Sequence, residues 1–146
     1  MSVAVTSRSF SKNTILRKKL KISYPDSKFN DEGKSLDGNE LINFLKGYDK
    51  AIIALEKINE NVLQGLPDLK IIGKYGVGLD KIDLYAMSKY NKLLGWKPGV
   101  NKRSVSELTL NFMISSLRKL RLCQSEILNG NFYQIKGENL TNKIIG

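Results

Sequence analysis

Short apolar runs alternate with helix-spaced apolar residues along the first hundred positions. The unbroken apolar run Asp49–Leu55 predicts a buried parallel strand, because a strand that is buried on both faces shows little polar alternation, and the alternating, valine-rich Ser2–Thr6 predicts another strand. The five predicted strands are Ser2–Thr6, Lys21–Tyr24, Asp49–Leu55, the stretch centred on Ile71 and Ile72, and Lys92–Trp96. Five strands that alternate with helices predict an α/β fold, a doubly wound parallel sheet with helices on both faces.

Helix-spaced apolar residues between these strands predict four helices. They cover Lys12–Leu20, Gly38–Lys46, Asn59–Gln64 and Asp83–Tyr90. Short polar side chains before them are the expected N-caps: Ser9 or Ser11, then Asp37, and Asp80 or Asp83 for the last helix. In that last helix Leu84 and Met87 are expected to face inward. Phe29–Lys34 reads as a polar loop.

The pattern of apolar residues changes after Lys102. Arg103–Leu128 is predicted to be one long helix, with Ser104 and Glu107 spaced as a capping box. Its apolar residues form a broad stripe: Val105, Leu108, Phe112, Met113, Leu117, Leu120 and Ile127, with Leu110 and Ile114 on a second side. The stripe either packs on the chain's own core or faces another subunit or lobe. Lys143–Ile145, before Gly146, resembles the beginning of a strand.

A glycine-rich turn stands at the centre of the chain, in Leu69–Leu84. It reads as a strand, a turn containing Gly73, Gly76 and Gly78, and the start of a helix. Glycines let the backbone bend and approach a ligand closely, and free backbone N–H groups at such a place suit an anion. Two interpretations are open: an anion-binding loop for a carboxylate or phosphate, and a plain turn between a strand and a helix.

Composition narrows the possible chemistry. The 146 residues contain no histidine and one cysteine, Cys123, so the chain cannot supply a Ser-His-Asp triad, a Cys/His metal site or an internal disulfide. With no apparent secretory signal or membrane span, we expect a cytoplasmic protein. The net charge of +10 comes from scattered lysines and predicts a solvated surface rather than a nucleic-acid or membrane partner. Nucleic-acid binding through that charge is the alternative.

Two motifs together carry a family resemblance. Gly73–Leu84 (Gly-Lys-Tyr-Gly-Val-Gly-Leu-Asp-Lys-Ile-Asp-Leu) and Gly99–Leu108, followed by the long helix, resemble the D-isomer-specific 2-hydroxyacid dehydrogenases, most closely their phosphoglycerate dehydrogenase-like members. The resemblance covers essentially the whole chain. It implies a flavodoxin-like substrate lobe over residues 1–103. Residues 104–146 would be the crossing helix and the beginning of a Rossmann-type NAD-binding lobe.

The resemblance also implies site residues. The backbone amides of Gly76, Val77 and Gly78 would hold the carboxylate of a small 2-hydroxy or 2-oxo acid, and Lys74 would assist. Val77 and Val105 would flank the nicotinamide of NAD. The long helix would form a homodimer.

Departures from the family limit this expectation. The family's nucleotide-binding Gly-x-Gly-x-x-Gly, its acidic ribose ligand and its catalytic arginine, glutamate and histidine have no counterparts here, and Lys97-Pro98 replaces small residues. We therefore expect a truncated dehydrogenase without catalytic residues, which is inactive alone and for which NAD and NADP are equally open. The alternative is a non-catalytic module that associates through residues 103–128.

Overall fold

The computed structural model describes residues 2–145. The chain divides into two compact units, of which the first ends at Pro98 and the second begins at Gly99. The first unit contains five strands: β1 (Val3–Val5), β2 (Lys28–Phe29), β3 (Lys50–Ile53), β4 (Ile71–Lys74) and β5 (Leu93–Gly95). All neighbouring strands are parallel, in the order β2-β1-β3-β4-β5. This flavodoxin-type order confirms the predicted fold class.

Helices cover both faces of this sheet. The first unit contains α1 (Arg8–Lys12), α2 (Thr14–Ser23), α3 (Gly38–Leu45), α4 (Glu60–Gln64) and α5 (Leu84–Lys89). Successive strand residues point to opposite faces, so β1 and β3 contribute to two cores. The larger core joins Ala51 and Ile53 to apolar residues of α3, α4 and α5, whereas the smaller core joins Val3 and Val5 to Phe10 of α1.

The predicted strand over Lys21–Tyr24 is wrong. Residues 21–23 end helix α2, and strand β2 lies at Lys28–Phe29, where Val5 pairs with Phe29. The predicted helix over Lys12–Leu20 is two helices, capped by Ser7 and Asn13 rather than by Ser9 or Ser11. The Asn13 side chain accepts hydrogen bonds from Ile15 N and Leu16 N at 3.1 and 3.0 Å. This cap starts a new helix that continues to Ser23.

The expectation that Leu84 faces inward is also wrong. Ala86 and Met87 of α5 are buried, whereas Leu84 is 51% exposed. At about 100° per residue, the direction midway between Ala86 and Met87 lies about 110° from Leu84. The predicted cap at Asp83 is confirmed, since its Oδ1 accepts a hydrogen bond from Ala86 N at 2.9 Å.

The second unit contains two helices where one was predicted. They are α6 (Lys102–Leu117) and α7 (Leu120–Leu128), separated at Lys119, which adopts a left-handed conformation with φ of 54°. Asn101 precedes α6, and Ser104 lies within the helix and is not its cap. Glu107 pairs with Arg103 at 2.9 Å, so the predicted capping box is absent.

The segment after α7 explains why this break is stable. Glu138 N donates a hydrogen bond to Leu117 O at 2.9 Å, which satisfies a carbonyl that the end of α6 leaves free. Gly137 permits the approach, since a Cβ there would lie 2.9 Å from Leu117 O.

Residues 143–145 form no strand, because the described residues offer them no neighbouring strand whose backbone groups could pair with theirs. Gly146, which would follow that predicted strand, lies outside the described residues. Within residues 2–145, the helices are too short or too polar to cross a bilayer.

Candidate functional site

The glycine turn lies at the carboxyl edge of the sheet, between β4 and α5. Its first residue, Tyr75, donates its backbone N–H to Ile53 O at the end of β3, at 2.7 Å. The Tyr75 ring packs edge-to-face on Phe10 of α1, with 5.3 Å between the ring centroids. The carboxyl edge of an open parallel sheet is where such folds bind ligands.

The backbone of this turn offers N–H groups to solvent. Gly76 has φ of +142°, a conformation that side chains with a Cβ rarely adopt. Gly76 and Gly78 are exposed and Val77 is half-buried. Within residues 2–145, no acceptor takes a hydrogen bond from the amides of Gly76, Val77 or Gly78. The turn therefore presents the donors that a carboxylate needs.

Helix α5 does not supply these donors. It begins at Leu84, well after Gly78, and its first turn is capped by the Asp83 side chain. Asp80, the other predicted cap, instead folds back on the turn: a Cβ built on Gly78 would lie 2.9 Å from Asp80 Oδ1. The Asp80 charge opposes an anion at the turn, whereas Lys74 favours one.

Lys74, the last residue of β4, is tied to the end of β3. Its Nζ donates a hydrogen bond to Ala54 O. The backbone N–H of Ala54 in turn donates to Oε2 of Glu56, a buried carboxylate, at 2.5 Å. The structure thus places Lys74, Gly76, Val77 and Gly78 at the carboxyl edge of the sheet, and their role in substrate binding stays a prediction.

A cavity of about 410 Å³ opens beside Ala54, at the carboxyl ends of β1 and β3. The chain leaves β1 and β3 towards opposite edges of the sheet, so this is the topological switch point of the fold. Ser7, Arg8, Lys12 and Glu56 are among its lining residues. The two cations outnumber the one carboxylate, and Glu56 already accepts a backbone hydrogen bond.

Trp96 is a site residue that sequence reasoning missed. It directly follows β5, and its Nε1–H donates to Val77 O at 3.0 Å. The available signals were its uniqueness, as the one tryptophan of the chain, and its place at a strand end. Glu56 was missed as well, because a charged residue next to an apolar run gives no sign that it is buried.

Val105, the second predicted nicotinamide neighbour, is a half-exposed residue of α6 in the second unit. The residues present do not fit a dinucleotide pyrophosphate, since Gly76-Val77-Gly78 is followed at the third glycine position of the fingerprint by Lys81. Groups of three or more potential metal ligands are absent from the described part of the chain.

Comparisons with known proteins identify the family of the chain. Residues 3–144 match the model of the D-isomer specific 2-hydroxyacid dehydrogenase catalytic domain. The chain is 28% identical over 114 residues to D-3-phosphoglycerate dehydrogenase of Methanocaldococcus jannaschii, covering 76% of this chain and 22% of that protein. It is 30% identical over 114 residues to glyoxylate reductase of Thermofilum pendens, covering 73% and 34%.

Solved structures share the fold. The NAD⁺-bound 3-phosphoglycerate dehydrogenase of Entamoeba histolytica matches with a TM-score of 0.73 and 24% identity, over 98% of this chain and 44% of that one. The acyclic imino acid reductase Bsp5 matches with a TM-score of 0.79 and 17% identity, over 92% and 43%. The chain thus spans less than half the length of these relatives. The match over residues 3–144 places the chain in the D-isomer specific 2-hydroxyacid dehydrogenase family.

Proposed function

We propose that this chain is the carboxylate-binding part of an NAD-dependent oxidoreductase that interconverts a 2-hydroxy acid and its 2-oxo acid. The observation that carries the proposal is the set of three adjacent N–H groups, at Gly76, Val77 and Gly78, without an acceptor among the described residues. Hydrogen bonds from such donors to a charged acceptor contribute roughly 1.5–3 kcal/mol each.

Each site residue has a role in this proposal. The three amides orient the substrate carboxylate, and the Lys74 cation attracts it. The cavity at the ends of β1 and β3 receives the remainder of the acid. Val77 in the first unit and Val105 in the second would each offer apolar contact to a nicotinamide, and NAD would supply the hydride acceptor, although the sequence holds no motif for its pyrophosphate. We assign residues 1–103 to the substrate lobe.

The chain's own residues bind and orient the acid but do not move its hydroxyl proton. The sequence contains no histidine and no Gly-x-Gly-x-x-Gly. We therefore expect the purified 146-residue chain to show no NADH oxidation with 2-oxo acids. NADH oxidation above the rate in buffer would contradict this expectation.

The single cysteine supports a cytoplasmic location.

Calorimetric titration tests the binding proposal. D-lactate carries the carboxylate, and 1,2-propanediol replaces it with a hydroxymethyl group, so the pair isolates the contribution of the charge. We expect D-lactate to bind with a Kd of about 1 mM, near 4 kcal/mol, and 1,2-propanediol to show no binding. Equal binding of both compounds would contradict the proposal.

A second candidate function is association through α6 and α7 with another copy of this chain. Neither helix contains a buried residue, and large apolar side chains are exposed along both: Val105, Leu108, Phe112, Leu120 and Ile127 are each 49% exposed or more. Exposed apolar surface of this kind marks interaction sites. The concentration dependence of the molar mass tests this candidate.

A further inference from the structure

We propose that Trp96 is a positioning residue of the turn formed by residues 75–78, called the carboxylate turn below, and that it fixes the direction of the Gly78 N–H. This inference deepens the proposed function and depends on it for the identity of the ligand, although the positioning itself does not require a ligand. It begins from one contact, the hydrogen bond from Trp96 Nε1 to Val77 O at 3.0 Å.

The geometry of the peptide group links this contact to the direction of the Gly78 N–H. The Val77 carbonyl and the Gly78 N–H belong to one planar trans peptide group, in which they point in opposite directions. Because the indole holds the carbonyl on the β5 side, the Gly78 N–H is directed away from Trp96. It remains without an acceptor within residues 2–145.

The neighbourhood explains why the turn needs such a restraint. Val77 has a glycine on each side, Gly76 and Gly78. Glycine populates more backbone conformations than any other residue, so the peptide group between Val77 and Gly78 could otherwise rotate. Hydrogen bonds hold the two ends of the turn, from Tyr75 N to Ile53 O at 2.7 Å and from Ile82 N to Leu79 O at 2.9 Å. Between these two ends, the hydrogen bond from Trp96, at the end of β5, holds Val77.

The sheet places the indole where it can make this contact. Strand β5 pairs with β4 up to Gly73 opposite Gly95, so Trp96 leaves the sheet immediately after the last paired position. Trp96 is 40% exposed, so it is partly covered while its N–H is engaged. Accepting a hydrogen bond at its carbonyl also polarises a peptide and strengthens its N–H as a donor.

Nuclear magnetic resonance relaxation of the ligand-free chain tests the positioning role. Trp96→Phe removes the indole N–H and keeps an aromatic ring. We expect the backbone order parameters of Val77 and Gly78 to fall from about 0.85, the value of rigid backbone, to below about 0.6. Tyr85→Phe, at an 81% exposed aromatic residue, is the matched control and should leave them unchanged. Unchanged order in Trp96→Phe would overturn the inference.

The wild-type chain provides a measurement that does not depend on the folding of a variant. The Trp96 Nε1–H gives a single indole signal, since the chain has one tryptophan. We expect this proton to exchange with water at least tenfold more slowly than that of a tryptophan in a short peptide. Exchange at the peptide rate would contradict the hydrogen bond.

Ligand binding separates this inference from the proposed function. We expect Trp96→Phe to weaken D-lactate binding about threefold to tenfold, the usual effect of one net hydrogen bond, and Tyr85→Phe to leave it unchanged. If D-lactate binds the wild-type chain and Trp96→Phe equally, the positioning role is wrong and the carboxylate turn stands. If D-lactate does not bind the wild-type chain, the proposed function is wrong, and the order parameters decide the role of Trp96.

Discussion

Gly76 shows how one residue determines the shape of the turn between β4 and α5. Its φ of +142° lies in a region that a Cβ makes costly. The sequence predicts this glycine's role because a Gly-x-Gly after an apolar strand indicates a close backbone approach. It does not predict Trp96 or Glu56, whose contacts join residues that are far apart in the chain and depend on strand order.

The first prediction concerns Gly76→Ala. We expect a loss of about 1–3 kcal/mol in the free energy of unfolding, from backbone strain, and at least tenfold weaker D-lactate binding, because the turn shifts to relieve it. Urea unfolding and calorimetric titration measure the two effects. Gly73→Ala is the matched control, since Gly73 lacks the positive φ and a Cβ there would make ordinary contacts of 3.6 Å or more. Wild-type affinity in Gly76→Ala would contradict the assigned turn.

The second prediction concerns Asp49 and acid stability. The hydrogen bond from Lys50, aided by the backbone N–H of Ser2, holds the pKa of the Asp49 carboxyl below its ordinary value. Since the folded-state pKa is lowered, the pair stabilises the fold above the unfolded pKa of about 3.9, and this stabilisation is lost as pH falls through the folded-state pKa.

Asp49→Asn should therefore lower the free energy of unfolding near pH 6 by up to about 1 kcal/mol, because the pair is partly exposed and screened by solvent. The difference from the wild-type chain should shrink below pH 4. Urea unfolding between pH 2.5 and 6 measures it. Asp26→Asn, at an exposed aspartate that forms no ion pair among the described residues, is the control. A difference that does not depend on pH would contradict the assignment.

Helices and strands of the first unit follow the sequence where a cap and an apolar pattern agree. Helix α3 lies between the Asp37 cap and Lys46, as predicted, and strand β3 lies within the predicted Asp49–Leu55. Around residues 21–29 the pattern fails. Residues 21–23 continue the helix that begins at Thr14, and β2 pairs through only two residues beside β1. Such a short edge strand carries almost no local signal, because its partner lies more than twenty residues away.

The third prediction tests the buried face of α5. Met87→Ala should lower the free energy of unfolding by about 2–5 kcal/mol, since Met87 is 3% exposed and its loss leaves a cavity. Leu84→Ala, in the same helix at a residue that is 51% exposed, should cost less than about 1 kcal/mol. Urea unfolding measures both. Equal losses would contradict the assigned face.

The break at Lys119 could not be predicted from the sequence. The apolar stripe is continuous through residues 105–127, and no glycine or proline interrupts α6 before it. The contact that stabilises it comes from further along the chain, where Glu138 N donates to the freed Leu117 O.

At the scale of the whole molecule, a parallel sheet follows from the alternation of strands and helices, whereas association with a second copy does not. The fourth prediction concerns the apolar face of α6. If the chain pairs with a second copy, Phe112→Asp should shift it towards the monomer and raise the dimer dissociation constant at least tenfold, because a buried charge is costly. Light scattering across a dilution series measures this. Gln134→Asp, at an exposed residue of the second unit outside α6 and α7, introduces the same charge and is the control. A monomeric wild-type chain at high concentration would contradict the second candidate.

The central claim is that three backbone amides of one turn bind the carboxylate of a 2-hydroxy acid. The most direct test is a ¹H–¹⁵N spectrum of the isotope-labelled chain during titration with D-lactate. The amide signals of Gly76, Val77 and Gly78 should move downfield together along one saturating curve and remain unmoved by 1,2-propanediol. If these three signals stay in place at saturating D-lactate, or move equally with 1,2-propanediol, the turn does not bind the carboxylate.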